Sequence, residues 1–204
     1  MEIATVLPAP APQRQVPAPV AKHLPGDLAI WIFIAAELLA FCVFFAAYAF
    51  TRAKNVALFD AEQLSLNRNA GALNTVLLLT ASYFVVRGVQ AAQAGLRKKV
   101  APWLAGAFIC GGGFVAVKIT EYADKLGAGI NLSTSPFYMF YLSLTFFHFM
   151  HVILGMVILA ALWFKARQGA YGPENLNGLE SGASYWHMVD LVWIILFPLV
   201  YVLR

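Results

Sequence analysis

Residues 27–50 read DLAIWIFIAAELLAFCVFFAAYAF, and after the opening Asp27 the only acidic or basic residue in this run is Glu37. A bilayer hydrocarbon core of ~30 Å needs ~20 mostly apolar residues at 1.5 Å rise each, so this stretch is long enough to cross a membrane as a helix. Working outward, four further runs meet the same requirement, at about 70–89, 102–122, 137–164 and 183–203. Punctuation separates them. Residues 52–68 carry five charges, RKKVAP at 97–102 opens a new helix, 127–136 is a Gly/Ser loop, and 169–182 is rich in Gly and Asn. Runs this continuous do not alternate as barrel strands do, and open strands leave backbone groups unsatisfied in lipid. The expected fold is therefore all-α, a polytopic bundle of five transmembrane helices.

Composition agrees. The chain is 61% hydrophobic and 12% charged, against roughly a quarter charged in soluble domains. A globule of this size hides only about 70% of its surface, so lipid is the natural solvent for the excess. The net charge of +4 comes from short clusters flanking the apolar runs, not from a basic stripe, and nucleic acid is not an expected partner. Cys42 and Cys110 stand alone in apolar runs, which suggests neither disulfide nor zinc. Residues 1–24 contain PAPAPQRQVPAPVAKHL without an apolar signal core, so an extended or disordered tail is expected before a five-helix domain at 25–204.

With five spans the termini lie on opposite sides. Arg14, Lys22, Arg87, Arg97, Lys98, Lys99, Lys165 and Arg167 fall on the amino-terminal side, against Arg52, Lys54, Arg68, Lys125 and Arg204 opposite. Positive charge favours the cytoplasm, which places the amino terminus inside and the carboxyl terminus outside. In the third span Gly106, Cys110 and Gly113 share a face that should meet another helix closely. No internal repeat is visible.

Charged side chains in the membrane interior are costly and need a partner or a role. Glu37 falls at mid-depth with Phe41, Phe44, Phe45 and Tyr48 on its face, an aromatic wall that favours the neutral acid where no donor is close. It reads either as a relay or ligand-contact carboxylate or as a packing lock. His148 and His151 lie three apart on one face of the fourth span, able to meet a carboxylate or hydroxyl on a neighbour. From one side of one helix they cannot together hold a haem iron between opposed imidazoles. Pairing of either with His187 is disfavoured by the different depth expected for His187, early in the fifth span. His187 and Asp190 are three apart and in reach of each other. Lys118 and Glu121 form an opposite-sign pair expected near the outer surface, where snorkelling eases it. No P-loop, GxSxG, HExxH or dinucleotide fingerprint occurs. Two classes remain: an accessory subunit of a membrane complex, or an independent carrier using Glu37 and the histidines as a proton path.

These segments resemble, in order, the subunit III family of haem-copper oxidases. PGDLAIWIFIAAELLAFCVFF at 25–45 resembles the first helix of the family's five-helix core with its membrane-buried acid at Glu37, and ALNTVLLLTAS at 72–82 resembles the next. KITEY at 118–122, FFHFMHVILG at 146–155 and YWHMVDLVWIILFPLVYVL at 185–203 resemble the three that follow. The likeness runs from about residue 25 to 204 and is to the five-helix form, without the two extra amino-terminal helices of longer members. The connector VALFDAEQLSLNRNAGALNT at 56–75 looks most like the nitric oxide reductase-associated branch. The resemblance implies a non-catalytic subunit of a bacterial cytoplasmic-membrane complex, with no catalytic, cofactor or metal residues of its own. Haem, with copper or non-haem iron, would sit in the catalytic partner subunit, whose assembly, stability and turnover this chain would support. It also implies phospholipid held between helices, in a cleft suggested as a route for apolar gas. Glu37, Glu121, His148, His151, Trp186, His187 and Asp190 carry over as structural or lipid-contacting positions.

Overall fold

The computed structural model describes residues 26–203; the tail expected at 1–24 lies outside the described residues. Five helices there are long and apolar enough to cross a membrane. They are α1 (Leu28–Lys54), α3 (Arg68–Gln93), α4 (Arg97–Gly127), α5 (Pro136–Arg167) and α6 (Asn177–Phe197), with a short α2 (Val56–Gln63) between the first two. The starts follow capping chemistry: Asp27, Asn67 and Ser135 each accept a backbone N–H of the first turn, and Pro136 sits where a helix needs no donor.

The helices outrun the apolar stretches that announced them, because hydrogen bonding continues into the interfacial zone where charges are solvated. α6 begins at Asn177 instead of 183, with Glu180 in its first turn complementing the helix dipole. α4 begins at Arg97, so Pro102 lies inside it; the carbonyl of Lys98 that loses a donor is on an exposed turn at the membrane boundary. At the other end of α6, Pro198 interrupts the α ladder. The chain widens into a π turn over Pro198–Val202, with Leu203 N–H donating to the Pro198 carbonyl at 2.9 Å.

α2 sits within the charged connector. It forms because Phe59 docks edge-on against Tyr48 and Phe137, and because the Gln63 amide donates to the Val200 carbonyl at 2.9 Å. The helix thereby covers one end of the bundle. Arg52–Asp60, Lys125–Ser65 and Ser135–Glu62 contacts gather at that end, while Arg97–Glu174, Gln93–Glu180 and Gly26–Glu180 contacts gather at the opposite one.

α3 and α4 form a tight antiparallel hairpin through Gly95, and the expected small-residue face does meet a helix: Gly106 abuts Phe84 and Gly113 abuts Leu77. α5 and α6 form the middle of the bundle. Trp186 is clamped between them and α4, since a Cβ on either Gly111 or Gly155 would stand 2.9 Å from its ring. α1 lies on the edge of α5 and α6 and buries only Ile34, Phe41 and Tyr48, seven residues apart.

Candidate functional site

Three groups of polar side chains join different helices, and His148 is buried apart from them. The largest lies between α4, α5 and the end of α6. Lys118 Nζ is 3.1 Å from Glu121 Oε2 and donates to Tyr201 Oη at 2.9 Å; Tyr141 and Tyr201 hydroxyls donate to Glu121 Oε1 at 2.7 and 2.6 Å. The ammonium is also enclosed by the rings of Tyr122, Tyr141, Trp193 and Tyr201, 4.9 to 5.6 Å from its nitrogen. Tyr122 extends the network to Thr145 at 3.0 Å.

Lys118 is fully buried, which corrects the expectation of a snorkelling pair near the surface. The reason is that Lys118 faces α5 and the end of α6, where Tyr141, Trp193 and Tyr201 close over the ammonium and leave it no path to the surface. Such a pair is tolerated because the remaining hydrogen-bonding capacity of the carboxylate is met by two phenols and the ammonium faces π clouds.

Glu37 meets His151. His151 Nδ1 stands 2.8 Å from the Phe147 carbonyl, which only accepts, so this nitrogen carries a hydrogen. Nε2, 3.0 Å from Glu37 Oε2, then shares one more proton with the carboxyl. Either an acid donates to a neutral ring or an imidazolium donates to a carboxylate, and both arrangements are neutral overall. A ring nitrogen therefore stands beside Glu37 within the aromatic surroundings expected there, a carboxylate contact of the kind expected of the α5 histidines, and Phe41 and Phe147 pack edge-on to that ring. Tyr185 adds a hydrogen bond to the His151 carbonyl at 3.1 Å.

His148, one turn along α5, faces another way. It is fully buried among Phe41, Phe114 and Trp193, and among the described residues neither ring nitrogen has a hydrogen-bond partner; the buried Asn74 amide and the Trp186 indole nitrogen are likewise without one there. His187 lies on the opposite flank of α6, against α3. Its Nδ1 is 2.6 Å from Ser82 Oγ and 3.6 Å from Asp190 Oδ2, so its hydrogen bond is to the hydroxyl, with the carboxylate nearby. α6 meets α5 through Trp186 at Gly155 and Trp193 at His148, so His187 lies toward the Gly155 level, displaced along the bundle from His148 and facing α3 instead.

Ser82, Tyr141 and Tyr201 are the functional-site residues that sequence reasoning missed. A lone hydroxyl in an apolar run carries no periodic signal, and only its helix partner shows its use. Among the described residues no group of three or more His, Cys, Asp or Glu is placed to hold a metal ion.

Fold and site together define an integral membrane protein with five membrane-crossing helices among the described residues, several of them tied to one another by interior polar side chains. The family model for cytochrome c oxidase subunit III matches residues 19–204, and the chain belongs to that family. It is 32% identical over 181 residues to cytochrome c oxidase subunit 3 of Thermostichus vulcanus, covering 86% of each chain. It is 28% identical over 176 residues to quinol oxidase subunit 3 of Bacillus subtilis, again covering 86% of each. A heme-copper oxidase subunit I+III of Aeropyrum pernix is 30% identical over 179 residues, which is 85% of this chain and 22% of that protein.

Proposed function

We propose that the chain is the accessory third subunit of a respiratory haem-copper complex in a bacterial cytoplasmic membrane, packing on a haem-bearing catalytic subunit and supporting its assembly, stability and turnover. The observation that carries this reading is membership of the subunit III family over residues 19–204. The Aeropyrum protein, whose name joins subunits I and III in one chain, supports close association of the two. In this reading Glu37, Glu121, His148, His151, Trp186, His187 and Asp190 are structural or lipid-contacting. The cross-helix bonds of Glu37, Glu121, His151 and His187 support that role. Haem, with copper or non-haem iron, belongs to the partner, and phospholipid fills the apolar grooves beside α1. The amino terminus faces the cytoplasm, in keeping with the Arg and Lys bias.

Extraction in mild detergent through a tag on this chain is expected to recover a haem-containing polypeptide, while the chain purified alone in harsh detergent shows no Soret band. A stoichiometric haem spectrum from the pure chain would overturn the reading. The same preparation distinguishes the gas reduced: oxygen uptake is expected of a terminal oxidase, and nitric oxide uptake of the branch that the 56–75 connector resembles.

A further inference from the structure

α1 and α3 both pack on α6 but scarcely on each other, so a strip of α6 is left uncovered between them, the floor of a shallow α1–α3 groove. The floor residues Ser184, His187, Leu191, Ile194 and Pro198 are partly or fully exposed and are spaced by three and four, the seam spacing of a helix that receives another helix. Leu79 and Val86, one turn either side of Ser82 on α3, are exposed along the edge.

Most of this groove is apolar and would be content with lipid. His187 is the exception. Its side chain is 39% exposed, both of its contacts are on Nδ1, and among the described residues no hydrogen bond engages Nε2. It lies one helical turn inside the apolar run that begins at 183, and Asp190 follows one turn further along the helix. Acyl chains offer no hydrogen bond at that depth, and intramembrane polar groups on a bundle's outer face are satisfied by protein. The geometry points to this α1–α3 groove as the docking face for a transmembrane helix of the haem-bearing subunit, which presents a polar side chain to His187 Nε2. The inference rests on the accessory-subunit reading and adds to it the face and the contact.

The test uses the full chain expressed with its complex. A benzophenone amino acid at Leu191 is expected, on irradiation of native membranes, to join this chain to the haem-staining polypeptide, whereas the same probe at Val157, exposed on α5, does not mark the groove. Recovery of the haem polypeptide is expected to fall about tenfold in His187→Phe and to be restored in His187→Gln, which keeps a polar group. If the haem polypeptide co-purifies yet the Leu191 probe never joins it, or His187→Phe recovers it undiminished, the groove is not the docking face and the accessory reading stands. If no haem polypeptide co-purifies with the unaltered chain, the accessory reading itself falls.

Discussion

α1 and α6 are both membrane-crossing helices, yet 11% of the most apolar stretch of α1 is buried against 56% of that of α6, and α1 is the more apolar of the two. In water the order would be reversed. In lipid an apolar side chain loses nothing by facing outward, so burial goes to residues that gain from protein: rings that stack, hydroxyls and charges that find partners. α6 and the π turn that ends it supply Tyr185, Trp186, Asp190, Trp193 and Tyr201 to the interior, whereas α1 supplies three apolar or aromatic side chains and the Glu37 contact to His151. The comparison implies that polar interlocks hold the α3–α6 unit and that α1 is loosely attached to it.

The strongest test breaks the interlock on which the end of α6 closes. Lys118→Met leaves Glu121 buried with two phenols and no cation, and is expected to destabilise the bundle by about 3–5 kcal/mol. Lys118→Met with Glu121→Leu removes both charges and is expected to recover much of that loss. Unfolding in mixed micelles, followed by tryptophan fluorescence, checks both; a double variant as unstable as the single one would show that the charges do not act as a pair.

The bundle was legible where lipid dictates sequence. A ~30 Å slab imposes a length and an apolar composition that five segments display plainly. Helix ends were less so, because caps such as Asn67 and the early start of α6 at Asn177 lie in polar stretches with no such constraint. α2 was hidden, since eight residues within a charged connector are helical only through the docking of Phe59 and Gln63. Of the site, Glu37, Glu121 and the histidines stood out because ionisable groups are rare in such runs. Their partners did not: Glu37 and His151 are 114 positions apart, and Tyr201 reaches Glu121 across 80. Lys118 was seen but placed at the surface, because the rings that close over it come from α5 and the end of α6.

A smaller effect is expected at the tie of α1. Glu37→Leu leaves His151 Nε2 without its partner, and a lost interhelical hydrogen bond in membranes costs about 0.6–1.7 kcal/mol. The comparison predicts where the loss appears. Hydrogen exchange is expected to rise in α1 and to stay unchanged in α3 to α6, whereas a uniform rise across all five spans would mean that α1 is integral to the cooperative unit.

The smallest effect falls on the outward face of the same helix. Leu39 is 66% exposed and Leu196, on α6, is fully buried, so one substitution at the two sites isolates what the surroundings contribute. Leu196→Ala is expected to cost about 2–5 kcal/mol through the cavity it leaves. Leu39→Ala exchanges one lipid contact for another and is expected to stay within about 0.5 kcal/mol of the parent in the isolated chain. Measured in the whole complex, the same Leu39→Ala sharpens the comparison further: if α1 faces lipid there, the effect stays negligible, and a loss confined to the complex would mean that a second protein surface, besides the α1–α3 groove, covers the helix that this chain holds least tightly.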